Sequence, residues 1–401
     1  MSANIYAALE IGTTRTVLAV GEAESGERLK VTCHAEIPST GVRKSQILDI
    51  NQATQSIRSV LREAEKSQLA LGSALTIGNA FLVVSGQHIK ADPYQGTAQI
   101  TGSKVGSEDI NEVFRSSRQM ALARDRELLD IVDQAYGIDS LGGIAEPKGM
   151  SGHLLKLDTL QISADANRIN DARTAAGEAH LEIREPLFAA TCAADAVLSD
   201  HERRNGALVI DLGGGSTGFA AYYDGYLAHV GVIGVGGDHL TNDIAHAFQT
   251  TQSQAEELKL YDGRATLAAD DGESTRVKVP GSSALMDNRT VSRAALNTVI
   301  NARVKELFQI IRTKLEDVDL LHRLHAGVVL TGGGAALRGI DAVIQRELGM
   351  PVRTGLPIQV DGLSDERNPE SFAAIAGALL YAHRNYEEKS LFDGILGRFF
   401  K

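Results

Sequence analysis

The stretch VIDLGGGSTGFAAY, residues 209–222, reads as a strand carrying Asp211, a turn of small residues from Gly213 through Gly214, Gly215 and Ser216 to Thr217, and a second strand. Working outward, ALEIGTTRTVLAVGE at residues 8–22 has the same grammar: a strand with Glu10, a turn through Gly12, Thr13 and Thr14, and a second strand. A turn without bulky side chains lets backbone N–H groups approach an anion closely, and threonine and serine hydroxyls add donors. Two such hairpins facing across a cleft suit a polyphosphate. A carboxylate at each mouth, Glu10 and Asp211, suits magnesium held through its hydration shell. The bland alternative, glycines serving tight hairpins alone, accounts for one hairpin more easily than for the pair.

Three further features lie along the second half. VVLTGGGAALRGI, residues 328–340, puts Gly332, Gly333 and Gly334 between a buried strand and a helix expected from about residue 335, a favourable place for a nucleoside and phosphate. Gly236 and Gly237 open a helix through Ile244 and Phe248. Glu256 and Lys259 share a helical face three residues apart, either as a surface ion pair or as a ribose or adenine contact.

Elsewhere, strand and helix patterns alternate, which indicates an α/β chain. Residues 48–65 read as an amphipathic helix and residues 292–315 as a long one. A compact insert at 79–152 is expected to carry strands at 81–89 and 130–136 and a helix capped by Ser107, with Ile110, Val113 and Phe114 on its apolar face. With 43% hydrophobic and 23% charged residues, the 401-residue composition is that of a globular protein of two or more domains. A net charge of −11 argues against nucleic acid as a partner. Cys33 and Cys192, the two cysteines, have neither disulfide-framework nor metal-site spacing. His322 and His325 read as an exposed pair rather than metal ligands. No export signal or bilayer-spanning apolar run is expected.

In their order, EIGTT, REPLFAA, VIDLGGGST, GVGGDHLTNDIAHAF, QAEELK and VVLTGGGAALRG resemble the nucleotide-binding motifs of the actin/Hsp70 superfamily. Within it the chain is most similar to the FtsA family of actin-like bacterial cell-division proteins. The resemblance runs nearly end to end. It implies an actin-like α/β fold of two lobes around a nucleotide cleft: subdomain 1A at 1–78, 153–205 and 369–385, an inserted 1C at 79–152, 2A at 206–237 and 327–368, and 2B at 238–326. It implies ATP and Mg as cofactors, with Gly12, Thr13, Thr14 and Arg15 as the first phosphate loop and Asp211 to Thr217 as the second. Gly332 to Gly334, Glu256 and Lys259 would contact the nucleoside. Glu185, followed by Pro186, would orient attacking water, its alternative being a capping or surface carboxylate. Gly218 stands where relatives usually carry Asp, so at most a slow ATPase is implied. As partners the resemblance implies the C-terminal peptide of FtsZ docked on 238–326, further copies of the chain in a filament, and other division proteins through 1C. The implied location is the cytoplasmic face of the cell membrane at the division site. A pilus-assembly adaptor and a small-molecule kinase or phosphatase of the same fold are the alternatives.

The last segment, SLFDGILGRFFK at 390–401, separates its residues on a helical wheel: Leu391, Phe392, Ile395, Leu396, Phe399 and Phe400 on one half, Asp393, Gly394, Gly397, Arg398 and Lys401 on the other. So short a helix forms when its apolar face is covered, by a bilayer surface or by the protein's own core. Phenylalanines flanked by Arg398 and Lys401 favour an anionic membrane surface, with residues 386–389 as a tether.

Overall fold

A computed structural model describes residues 4–23, 28–70, 76–267, 276–279, 289–363 and 366–385. Expectations for the 386–401 tether and tail fall outside the described residues. The framework is two five-stranded sheets of one topology. In the first, Lys30–Pro38, Arg15–Ala23 and Asn4–Ile11 form an antiparallel meander, and Asn79–Val84 and then Glu182–Phe188 continue it in parallel. In the second, Tyr226–Ile233, Thr217–Tyr223 and Ala207–Leu212 form the meander, and Gly327–Thr331 and then Val352–Thr354 add in parallel. The likeness of the two hairpins is therefore the visible part of a repeat of the whole sheet. Central strands are apolar without alternation, Val17 to Val20 and Ala207 to Ile210 all being buried, because elements pack on both faces.

Helices form where apolar residues recur every three or four positions. In Ile50–Ala70 the buried apolar positions are Ala53, Ile57, Val60, Leu61 and Ala64. Asp49 caps it by accepting from the Gln52 N–H at 3.1 Å, so the helix starts after the exposed Leu48 and runs five residues past 65. The long helix is Arg293–Asp317, capped by Ser292. A helix at 373–385 and Ala189–Val197 lie between the two sheets, and the core they form includes Val209 and Ala220 of the second sheet. They cross so closely that a Cβ on Gly377 would fall 1.7 Å from the Cys192 carbonyl oxygen.

The insert is a four-stranded antiparallel sheet in the order Lys90–Gln99, Leu154–Asp165, Arg126–Ile138, Leu141–Ile144, with Ser107–Ser117 packed across it. Its extent differs from the expected 79–152 at both ends. Asn79–Val84, which ends five residues before the expected 89, is apolar and buried from Ala80 onward and finds its cover inside the first sheet. Leu154–Asp165 serves two cores: Leu155 and Leu157 pack under the insert helix, while Leu160, Ile162 and Ala164 pack in the first lobe. Gly106, not Ser107, is the cap of that helix, because the Asp109 carboxylate reaches back to the Gly106 N–H at 2.8 Å. Of its expected apolar face, Val113 is buried and Phe114 is exposed.

Candidate functional site

The two meanders place their first turns against each other. Each turn closes in the same way, Gly12 N–H donating to Arg15 O at 2.9 Å and Gly213 N–H to Ser216 O at 3.0 Å. Each carboxylate, Glu10 or Asp211, lies two residues before the first glycine. The tips are in contact: a Cβ on Gly214 would lie 2.5 Å from Thr14 Cγ2, and one on Gly215 would lie 2.3 Å from Thr13 Oγ1. The backbone bonds around the cleft do not draw on the N–H groups of Thr13, Thr14, Gly214 or Gly215. Helix Gly237–Ala247 starts directly behind, its Gly237 and Asp238 N–H groups each donating at 2.9 Å to the carbonyls of Gly213 and Gly214. Gly236 has no room for a side chain, since a Cβ would meet both carbonyl oxygens at 2.5 Å.

The wall opposite comes from the third glycine turn. Gly332 has φ +82°, and a Cβ there would lie 2.4 Å from Asp211 Oδ1, so both conformation and space demand glycine. Residues 333–336 make one 3-10 turn, and the α-helix begins only at Ile340, after left-handed Gly339. Glu256 and Lys259 complete the wall: Lys259 Nζ is 2.7 Å from Glu256 Oε2 and donates to Thr241 Oγ1 at 2.9 Å and Gly237 O at 3.2 Å. They are thus both an ion pair and part of the cleft lining. The local backbone widens into a π-helical turn, Leu258–Asp262.

One cavity gathers the site residues expected from the sequence: Glu10, Gly12 to Arg15, Asp211, Gly213 to Ser216, Gly237, Glu256, Lys259 and Gly332 to Gly334 all line it. Thr217 and Gly236 stand just behind, Thr217 Oγ1 donating to Val235 O at 2.7 Å. Glu185 is not among the lining. It lies in the parallel strand Glu182–Phe188, and its carboxylate accepts from Tyr381 Oη at 3.0 Å. Gly218 does line the cleft, but a Cβ would sit 3.1 Å from Ala190 Cβ, so the helix Ala189–Val197 presses close behind it.

Sequence reasoning missed several lining residues. Lys44 and Ser45 are left-handed (φ 50° and 57°) at the tip of the small hairpin joining Val42–Arg43 to Gln46–Ile47. Ser45 N–H donates to Thr13 Oγ1 at 2.8 Å and Ser45 Oγ stands 3.2 Å from Ser216 Oγ, tying the two turns together. Lys-Ser lacks the Asn-Gly signature of such turns, so nothing flagged it. Arg338, at the end of the third glycine motif, also reaches the cleft, as do Asn368 and Ser371 from a segment without a motif. His322 and His325 are exposed, and among the described residues no group of three or more His, Cys, Asp or Glu could hold a metal.

Burial, then the neighbouring Glu10 charge, push the Asp211 carboxyl up to about 7, against the pull of Arg15. Burial likewise raises Glu10, with Arg15 opposing and Glu36 adding to the rise. Asp238 is also raised by burial, with Lys259 opposing. Two desolvated carboxylates beside free backbone donors and a glycine-only cradle fit a cation accompanied by phosphate, each satisfying what the other leaves unpaid.

Two sheets of one topology around a glycine-lined cleft define an actin-like ATPase fold. Solved structures agree: the chain superposes on one described as a PilM-PilN type IV pilus biogenesis complex with a TM-score of 0.65 at 19% identity, covering 93% of this chain and 97% of that one. It also matches MreB5 of Spiroplasma citri bound to ADP, with a TM-score of 0.56 at 14% identity and 98% of each chain. A family profile described as cell division protein FtsA matches residues 208–377, and one described as the SHS2 domain inserted in FtsA matches 86–163, spanning most of the four-stranded sheet. Cell division protein FtsA of Pseudomonas aeruginosa is 32% identical over 381 residues, 95% of this chain and 89% of the relative. That of Escherichia coli K12 is 30% identical over 385 residues, 94% and 90%. The chain belongs to the FtsA family of cell division proteins.

Proposed function

We propose that this FtsA-family protein binds ATP with magnesium in the cleft between its two sheets, polymerises, and tethers the FtsZ ring to the inner face of the cytoplasmic membrane. The observation that carries the nucleotide reading is the facing pair of glycine turns with Glu10 and Asp211 beside them, because no simpler structural need explains two desolvated carboxylates at one cradle. Thr13, Thr14, Gly214, Gly215 and Ser216 would hold the phosphates. Glu10 and Asp211 would hold magnesium through water, and the ion would neutralise phosphate charge. Gly332 to Gly334, Glu256 and Lys259 would meet the nucleoside. Turnover is slow at most: position 218 carries no carboxylate, and Glu185, the expected water-orienting group, is bonded to Tyr381 outside the cleft lining.

Attachment to the membrane rests on the sequence of 390–401, where six large apolar residues share one helical face beside Arg398 and Lys401. Each apolar side chain contributes on the order of 1 kcal/mol at a lipid boundary, so one copy binds reversibly and a polymer binds firmly. Docking of the FtsZ C-terminal peptide on 238–326, self-assembly, and contact with other division proteins through the insert follow from family membership. Liposome flotation with purified FtsZ tests the whole reading. FtsZ is expected to float with anionic vesicles only when this protein and ATP are present, and Phe399→Glu with Phe400→Glu is expected to leave both in the soluble fraction with ATP binding intact. Flotation of the double variant at the parent level would overturn the membrane assignment.

A further inference from the structure

Arg15 is the cation of the first phosphate turn, yet both of its Nη nitrogens are bonded to groups that are not ligand. Nη1 pairs with Glu36 Oε2 at 2.5 Å, Nη2 donates to the Ser371 carbonyl at 2.5 Å, and the group lies over the Phe372 ring, 5.1 Å from its centroid. Glu36 reaches it across the antiparallel pair in which Arg15 faces Pro38 and Val17 faces Glu36. Phe372 is buried in the first-lobe core and packs its ring against His34, ring centroids 4.8 Å apart, and His34 in turn pairs with Glu366 at 2.8 Å. Ser371 and Phe372 end the turn Pro369–Phe372 that leads into the helix at 373–385.

The geometry points to Glu36 as a positioning residue that competes with bound phosphate for Arg15, so that the cleft and the helix at 373–385 respond to one side chain. The inference rests on the proposed nucleotide site. A guanidinium forms its strongest pairs two N–H groups at a time, and the two arms of Arg15 are committed to Glu36 and Ser371. A phosphate on the turn Gly12 to Thr14 offers a more highly charged acceptor, and pairing with it through both arms at once turns the guanidinium away from Glu36 and Ser371. Glu36 is half-exposed, with its side chain 49% accessible, so its hold is that of a solvent-screened surface pair. Releasing Ser371 O and Phe372 removes two contacts from the start of the helix that passes between the lobes. Neither Glu36 nor Phe372 lines the cleft, which separates this role from direct binding.

Calorimetric titration of the full chain with Mg·ADP, AMP and adenosine tests it, using Glu36→Gln, Arg15→Gln and the double variant. Glu36→Gln is expected to bind Mg·ADP about two- to fivefold tighter, with adenosine affinity unchanged, and to lose this gain when combined with Arg15→Gln. Hydrogen exchange at 373–385 is expected to change on adding Mg·ADP in the parent and to be unresponsive in Arg15→Gln. If the parent binds Mg·ADP but Glu36→Gln binds it no tighter, or tightens adenosine equally, or keeps its gain without Arg15, the competition is overturned. If the parent binds no nucleotide, it is the nucleotide site itself that falls.

Discussion

Asp211 makes the protein's stability and its nucleotide affinity depend on pH in opposite directions. Its carboxyl titrates near 7 in the folded protein against an ordinary 3.8, because it is buried beside Glu10. The difference of about three units corresponds to about 4 kcal/mol between the two protonation states. The folded pKa lies above the unfolded one, so the protonated group's contribution to stability is fully present below about pH 4. It is lost as pH rises through about 7, after which the charged carboxylate is a fixed burden on the ligand-free fold. Asp211→Asn removes that burden. Without nucleotide, the variant is expected to melt several degrees above the parent at pH 8, with the gap narrowing as pH falls below 7 and closing only near pH 4. A cation and phosphate reverse the order, because they need the ionised form: with Mg·ATP at pH 8 the parent gains stability and the variant does not. Binding below pH 7 must displace a proton, so parent affinity is expected to fall about tenfold per unit toward pH 6 and to be flat above about 7.5. Thermal melts and calorimetry at pH 5.5, 6.5, 7.5 and 8.5 read all of this. A ligand-free variant less stable than the parent at pH 8, or a parent affinity unchanged from pH 6 to 8, would refute the reasoning.

Other substitutions probe separate parts of the framework. Gly332→Ala adds a Cβ at φ +82° and 2.4 Å from Asp211 Oδ1, and is expected to cost about 1–3 kcal/mol in denaturant unfolding and to abolish nucleotide binding; full affinity would mean the turn tolerates a side chain. Gly377→Ala drives a methyl to 1.7 Å from the Cys192 carbonyl, so the helices between the lobes must separate, and a loss of soluble folded protein or a lowered unfolding midpoint is expected. An unchanged midpoint would show that the helices do not cross there. Glu185→Ala is expected to leave ATP affinity as in the parent, since the carboxylate is bonded to Tyr381 outside the cleft lining, and a tenfold loss would return Glu185 to the site.

Most of the site was legible in the sequence because its chemistry is backbone chemistry. Glycines at 12, 213–215 and 332–334 mark turns by themselves, and a turn signature needs no knowledge of the rest of the chain, although the close approaches that bar a Cβ at Gly214, Gly215, Gly332 and Gly334 come from other segments. The two hairpins share spacing, so their pairing across a cleft was also legible, together with the acidic residue before each. The sequence further determined the apolar periodicity of Ile50–Ala70 and Arg293–Asp317, and hence which face each helix buries.

Tertiary structure alone decided which distant segments meet. It brought Ser45 over the two turns from a hairpin with no turn signature, and Asn368 and Ser371 into the cleft from a connection whose composition is silent. It moved the insert's boundary, because Leu154–Asp165 spans two cores and no local pattern records where one ends. It took Glu185 out of the cleft by pairing it with Tyr381, 196 residues away. The ionisation of Asp211 was likewise beyond the sequence: an aspartate after a strand looks the same whether water or a second carboxylate surrounds it, and only folding, by burying it next to Glu10, sets its charge.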